Sequence, residues 1–234
     1  ADKIAVGASY DDDNGTSSGS VYVYDANDLS AQPTKLTAFD GDGGDLFGGK
    51  LAVSGDKLIV SAQQDETDNN IAGSGSVYVY DINNLSATPT KLTAFDGAAS
   101  DYFGSFIYAT ADRIVVGAYG DESNTGAVYV YDANDLSAQP TKLTAFDGAA
   151  SDQFGWSIAA ADDKIFVGAR SDNSSSGSVY VYDANNLSAQ PTKLTAFDGA
   201  ASDRFGYSIT TTSDKIIVGA YLDDDNGTDS GSVY

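Results

Sequence analysis

Carboxylates dominate the chemistry this chain could perform. Pairs of aspartates recur at fixed spacing, Asp147 with Asp152 for one, and two loops string oxygen donors together: Asp11-Asp12-Asp13-Asn14-Gly15 and Asp223-Asp224-Asp225-Asn226-Gly227-Thr228-Asp229. Two carboxylates so placed could serve as the acid and base of a glycosidase. Alternating carboxylates and amides with a glycine at the sharp turn suit a hard cation such as Ca2+, which takes about 6–8 oxygen ligands. The candidate ligands are Asp11, Asp13 and Asn14 in the first loop and Asp223, Asp225, Asn226 and Asp229 in the second. The fit is partial, because neither loop closes on a bidentate Glu and Ser17 stands where the second loop has Asp229.

Composition narrows the options. The 234 residues include no His, Cys or Met, so a Ser-His-Asp triad, a thiol nucleophile and a His/Cys zinc site are all excluded. With 34 Asp+Glu against 12 Lys+Arg the net charge is −22, which repels polyanions and excludes nucleic acid as a partner while favouring cations or cationic partners. No run approaches the ~18 continuous apolar residues of a membrane span, so no membrane insertion is expected. The Asp147/Asp152 type of pair returns in every repeat, whereas a catalytic site breaks a repeat's symmetry at one place. The expected role is to cap turn N–H groups, and the chain is expected not to be an enzyme.

The elements that must position these residues form one repeated unit. GSVYVYD begins at Gly19, Gly75 and Gly177, reads GAVYVYD at Gly126 and starts again at Gly231; TKLTAFDG begins at Thr34, Thr90, Thr141 and Thr192; Phe-Gly follows at Phe47, Phe103, Phe154 and Phe205. Each unit holds four short segments of β-branched and aromatic character: A after Phe-Gly, B as DKIFVGA from Asp163, C as the alternating VYVY, and D as TKLTAFD. Turn residues separate them and no window keeps a helical period. Four antiparallel strands repeating about every 51–56 residues predict an all-β chain of β-propeller blades. The repeats run approximately 1–46, 47–102, 103–153, 154–204 and 205–234, the last partial, within one propeller segment.

The runs KLTAFDGAASDxFGxSI, DKIxVGAY and DDDNGTDSGSVYVY resemble the FG-GAP repeat, the blade unit of the integrin alpha-chain propeller and of many bacterial and algal surface proteins. The resemblance covers essentially the whole chain. It implies a propeller, often seven-bladed, that works in adhesion, ligand binding or scaffolding outside the cell or at its surface, and that commonly holds calcium. Integrin-type blades place their calcium loop between A and B; here that connection is the tight turn before Ile216, a departure from the family's calcium position. Repeat one lacks A and repeat five lacks D, so the array of about four and a half blades is read as part of a larger ring. Open blade edges also invite self-association by strand pairing, as in a filament or sheath.

Antiparallel connection puts the B–C and D–A loops on one face. That face collects most of the acids, among them Asp11, Asp40, Asp65, Asp68, Asp96, Asp121, Asp147 and Asp223, while the lysines of segment D are expected on the opposite face. The position after Phe-Gly varies, as Gly49, Ser105, Trp156 and Tyr207, where A leaves the loop face near the axis. Trp156 and Tyr207 could stack on a sugar, as in a lectin, or fill the core. The expected function is non-enzymatic adhesion or binding of a protein or glycan ligand through an acidic, cation-binding loop face.

Overall fold

The computed structural model describes residues 2–66, 71–161, 163–212 and 214–234. Alternating Val and Tyr cannot keep a helical stripe but suit a strand packed on both faces, and all four VYVY segments and the shorter Ser232–Val233 copy fold as strands. The first sheet holds β1 (Lys3–Ala8), β2 (Ser20–Asp25) and β3 (Thr34–Leu36). The second holds β4 (Leu51–Ser54), β5 (Lys57–Ala62), β6 (Ser76–Asp81) and β7 (Thr90–Leu92). The third holds β8 (Phe106–Ala109), β9 (Arg113–Ala118), β10 (Ala127–Asp132) and β11 (Thr141–Leu143). The fourth holds β12 (Phe154–Ala161), β13 (Lys164–Ala169), β14 (Ser178–Asp183) and β15 (Thr192–Leu194), and the fifth holds β16 (Phe205–Thr211), β17 (Ile216–Ala220) and β18 (Ser232–Val233). Every named pairing is antiparallel between chain neighbours, so each sheet is a meander with the order A-B-C-D, lacking A in the first and D in the last.

The cores lie between blades. Val77, Val79 and Leu92 of the second sheet pack with Phe103, Ile114, Val116 and Tyr129 of the third; Val128, Val130 and Leu143 of the third pack with Phe154, Ile165, Val167 and Tyr180 of the fourth. The period of two therefore sends the valines of VYVY toward the next blade and the tyrosines toward the previous one. Each Phe of Phe-Gly meets the first Tyr edge-on, as in Phe47–Tyr78 and Phe154–Tyr180, both with ring centroids 5.4 Å apart.

Innermost strands meet in chain order, β1 with β4, β4 with β8 and β12 with β16. The sheets form an open arc of propeller blades, without a closed ring. Their two outer faces lack a neighbour: Ile4 and Val6 of β1 are 44% and 48% exposed, while their repeat equivalents Leu58 and Val60 are fully buried.

Candidate functional site

Two constellations stand on the loop face. The first recurs in the first four repeats and joins the first VYVY tyrosine, the D lysine and two acids. In the second blade Tyr78 Oη donates to Asp40 at 2.7 Å and Asp65 at 3.2 Å, while Lys91 Nζ lies 2.6 Å from Asp40 and 2.8 Å from Asp65. In the third, Tyr129 donates to Asp96 at 2.7 Å and Asp121 at 3.0 Å, and Lys142 Nζ is 2.8 Å from both acids. In the fourth, Tyr180 and Lys193 hold Asp147 and Asp172 in the same way. The lysines hold Asp40, Asp96 and Asp147 below the usual carboxylate range against the opposing pull of burial, and burial beside the acids raises the three tyrosines, which stay protonated donors.

This corrects one expectation. Lys35, Lys91, Lys142 and Lys193 do not sit on the opposite face. Strand D is three residues long and its lysine pairs in register with the first tyrosine of C (Tyr129 with Lys142, for example), so the flexible stem lies along the tyrosine ring and lifts the ammonium to the loop acids. The loop face is therefore less uniformly negative than the loop assignment implies.

The same geometry tests the cation ligands. In the first loop Lys35 Nζ bridges Asp11, at 3.0 Å, and Asp13, which is where a metal ion would lie, and its ammonium holds the Asp11 carboxyl down at about 2. The backbone N–H of Asn14 donates to Ser18. That donor set does not fit a metal. The last repeat differs, because no lysine reaches its acids among the described residues. Asp223 and Asp225 come together with Asp198, offering carboxylate oxygens within 4.8 Å of one another. Tyr234 Oη donates to Asp198 and Asp223 at 2.7 Å each. Asp223 and Asp198 push the Asp225 carboxyl upward, as like charges do. Asp229 stands outside this group, its N–H bound to Asp224, and the N–H of Asn226 donates to Ser230. Sequence reasoning did not include Asp198 in this group, although its equivalents Asp40, Asp96 and Asp147 recur in every TAFDG. Asp68 of the acidic face lies outside the described residues.

The second acid of each D–A loop caps a turn. Asp45, Asp101, Asp152 and Asp203 accept from the N–H of Asp42, Ala98, Ala149 and Ala200 at 2.6–2.7 Å. Burial, with Asp65 nearby, pushes Asp45 up to about 6 against the opposing Asp42 N–H. A carboxyl raised in the folded state binds protons more tightly there, so its ionisation opposes folding above about pH 6 and stability is recovered as pH falls toward its ordinary value of 3.8. Asp45→Asn keeps the acceptor and removes the charge. Its melting temperature is expected to rise about 1–3 °C at pH 7, with no gain near pH 4. An equal gain at both pH values would remove charge as the cause.

The second constellation is a central cleft of about 430 Å³ to which all five repeats contribute. Gly49, Ser105, Trp156 and Tyr207, the four residues after Phe-Gly, line it together with Tyr10 and Lys50. Trp156 and Tyr207 are half-buried, with ring centroids 5.9 Å apart, and Tyr119 lies 5.1 Å from Trp156. The Arg170 guanidinium, from the B–C loop of the fourth blade, covers one face of Trp156 at 3.2 Å. Sequence reasoning missed that clamp: Arg170 stands at the last position of the DKIxVGAY run, where the neighbouring repeats have Tyr119 and Tyr221. Gln153 Oε1 fixes it by accepting from Arg170 Nε at 2.8 Å.

Stacked three- and four-stranded meanders round a shared cleft, with a tyrosine-lysine-aspartate knot on the loop face of the first four, define a repeat protein of the propeller class. The FG-GAP repeat model matches residues 1–24, 31–80, 88–131, 138–182 and 189–234, and the chain belongs to the FG-GAP repeat family. No curated protein matches the chain significantly.

Proposed function

We propose that this chain is a non-enzymatic adhesion and ligand-binding propeller of the extracellular space or cell surface, which engages a protein or glycan on its loop face at the central cleft. One observation carries the reading: a position at which the repeat varies, the residue after Phe-Gly, lines the cleft in all four copies. Regular positions are accounted for by blade packing and by the Tyr-Lys-Asp knots, whereas Trp156 and Tyr207 place large aromatic surface at an open mouth. The test is adhesion of protein-coated beads to glycan and matrix-protein arrays. Wild type is expected to bind a defined subset, and a Trp156→Ala/Tyr207→Ala double variant with an unchanged melt is expected to lose it. Retained binding by the folded double variant would remove the cleft from the reading.

A divalent cation such as Ca2+ is part of this proposal only at Asp198, Asp223 and Asp225, where three carboxylates converge. Mass action then raises the melting temperature of wild type in millimolar Ca2+ over EDTA, and Asp225→Asn removes the rise. Identical wild-type melts in Ca2+ and EDTA would dismiss the ion.

A further inference from the structure

The central cleft is an exception in the charge of this protein. A neighbouring cleft of the same volume, about 430 Å³, is lined by Asp42, Asp45 and Glu66. Among the described residues no Asp or Glu lines the central one, although the chain carries −22 overall; its lining includes Lys50, Gln63 and Ser105. Arg170 is not itself one of the lining residues, but it spreads its guanidinium over Trp156 and lies 5.6 Å from the Tyr207 ring, so two of the aromatic walls are backed by a cation. Arg204 stands next to it. Its Nη1 donates to Ser171 Oγ, which donates to the same Gln153 Oε1 that receives Arg170 Nε, and its Nε is buried without a hydrogen-bond partner.

Two guanidinium groups are thus tied together through one hydroxyl and one amide. Among the described residues neither forms an ion pair, and neither does Lys50. Eight of the nine other bases do, exposed Lys215 being the exception, and the contrast is physical: in so acidic a protein a cation finds a carboxylate more readily unless the fold keeps carboxylates away. Each Arg170–Arg204 approach costs Coulomb repulsion that an anion between or beside them would reverse.

Resting on the cleft reading above, we propose that the ligand is an anionic saccharide, a uronate or a sulfated sugar, whose acidic group meets Arg170 and Lys50. The other features of the cleft fit such a ring. Aromatic surface suits the apolar face of a sugar, and Gln63, Ser9 and Ser105 supply partners for its hydroxyls. The surrounding acids disfavour long polyanions, so a short acidic oligosaccharide is selected over a polymer such as nucleic acid.

Trp156 is the only tryptophan, and Arg170 rests on its ring, so ligand entry is read directly by its fluorescence, with calorimetry as the second readout. The probes are trigalacturonate, a sulfated trisaccharide, neutral galactotriose and an Asp/Glu-rich peptide, all in EDTA. Saturable binding of one of the acidic sugars is expected, with galactotriose at least about tenfold weaker and Arg170→Gln about tenfold weaker for the acidic sugar at an unchanged melt. Calorimetric silence with both acidic sugars, or binding of the acidic peptide in their place, would overturn the proposal. Equal affinity for galactotriose that disappears in Trp156→Ala would also overturn it, while leaving the cleft as the ligand site of the broader reading.

Discussion

Gly126→Ala is expected to cost about 4 kcal/mol or more, lowering the melting temperature by about 8–16 °C or preventing folding. Gly126 opens strand C of the third blade with φ of +92°, and a Cβ there would stand 2.1 Å from the carbonyl oxygen and 2.6 Å from the nitrogen of Phe154. Both are backbone atoms of the next repeat's Phe-Gly, so no rotamer change relieves the clash and the blades must separate. The same approach recurs at Gly19, Gly75 and Gly177 against Phe47, Phe103 and Phe205, and two of these pairs form parallel bridges between repeats. Gly55→Ala is the control. Its φ is +58° but nothing lies within 4 Å of the added Cβ, so only the left-handed conformation is penalised, at about 1 kcal/mol. Comparable losses in the two variants would show that conformation, and not the close approach of blades, sets the need for glycine.

Lys142→Met is expected to cost about 2–4 kcal/mol at pH 7, or about 5–12 °C. Methionine retains most of the apolar stem along Tyr129, but Asp121, whose side chain is 4% exposed, loses its cation and keeps the Tyr129 hydroxyl as its remaining side-chain donor. The charge, not the packing, carries the effect. The sign with pH follows from Asp96, which Lys142 holds below 3.8: the stabilisation is present above the ordinary carboxylate range and fades as pH falls through the lowered value. The variant and wild type should therefore converge in acid, and Asp121→Asn in the Lys142→Met background should recover part of the loss. Lys164→Met is the comparison: its partner Asp163 and the lysine itself are both 54% exposed, and a change within about 0.5 kcal/mol is expected. Equal losses from Lys142→Met and Lys164→Met would refute a special role for the loop-face knot.

The knots also explain why the cation loops divide as they do. An ammonium 2.6–3.0 Å from two carboxylates performs the electrostatic task of a bound metal, and the first four repeats carry that ammonium on strand D. Asp198, Asp223 and Asp225 meet without one. Each acidic loop reads as oxygen-rich in sequence; what neutralises it is a residue about 20 positions away, Asp121 and Lys142 being such a pair.

Blade architecture was legible in the chain because it rests on short-range rules repeated several times. The period of two in VYVY, the Gly and Asp punctuation and the Phe-Gly spacing locate β6, β10 and β14 and the meander order, since antiparallel neighbours need only short turns. The convergence of Gly49, Ser105, Trp156 and Tyr207 was legible for the same reason, as equivalent positions of a repeat fall on one axis. The turns at Glu122–Asn124 and Asn173–Ser175 were not: each places three non-glycine residues in succession at positive φ, which local preference disfavours and the anchored strand ends impose.

By itself, then, the sequence determined the strands, their order and the variable ring of the axis, all consequences of periodicity and turn chemistry. Only the tertiary structure decided where the charges go. A lysine side chain is long enough to leave the loop that its backbone belongs to, and whether its ammonium meets a carboxylate, or an arginine meets an indole and no acid at all, depends on contacts between strands and blades that no spacing along the chain encodes.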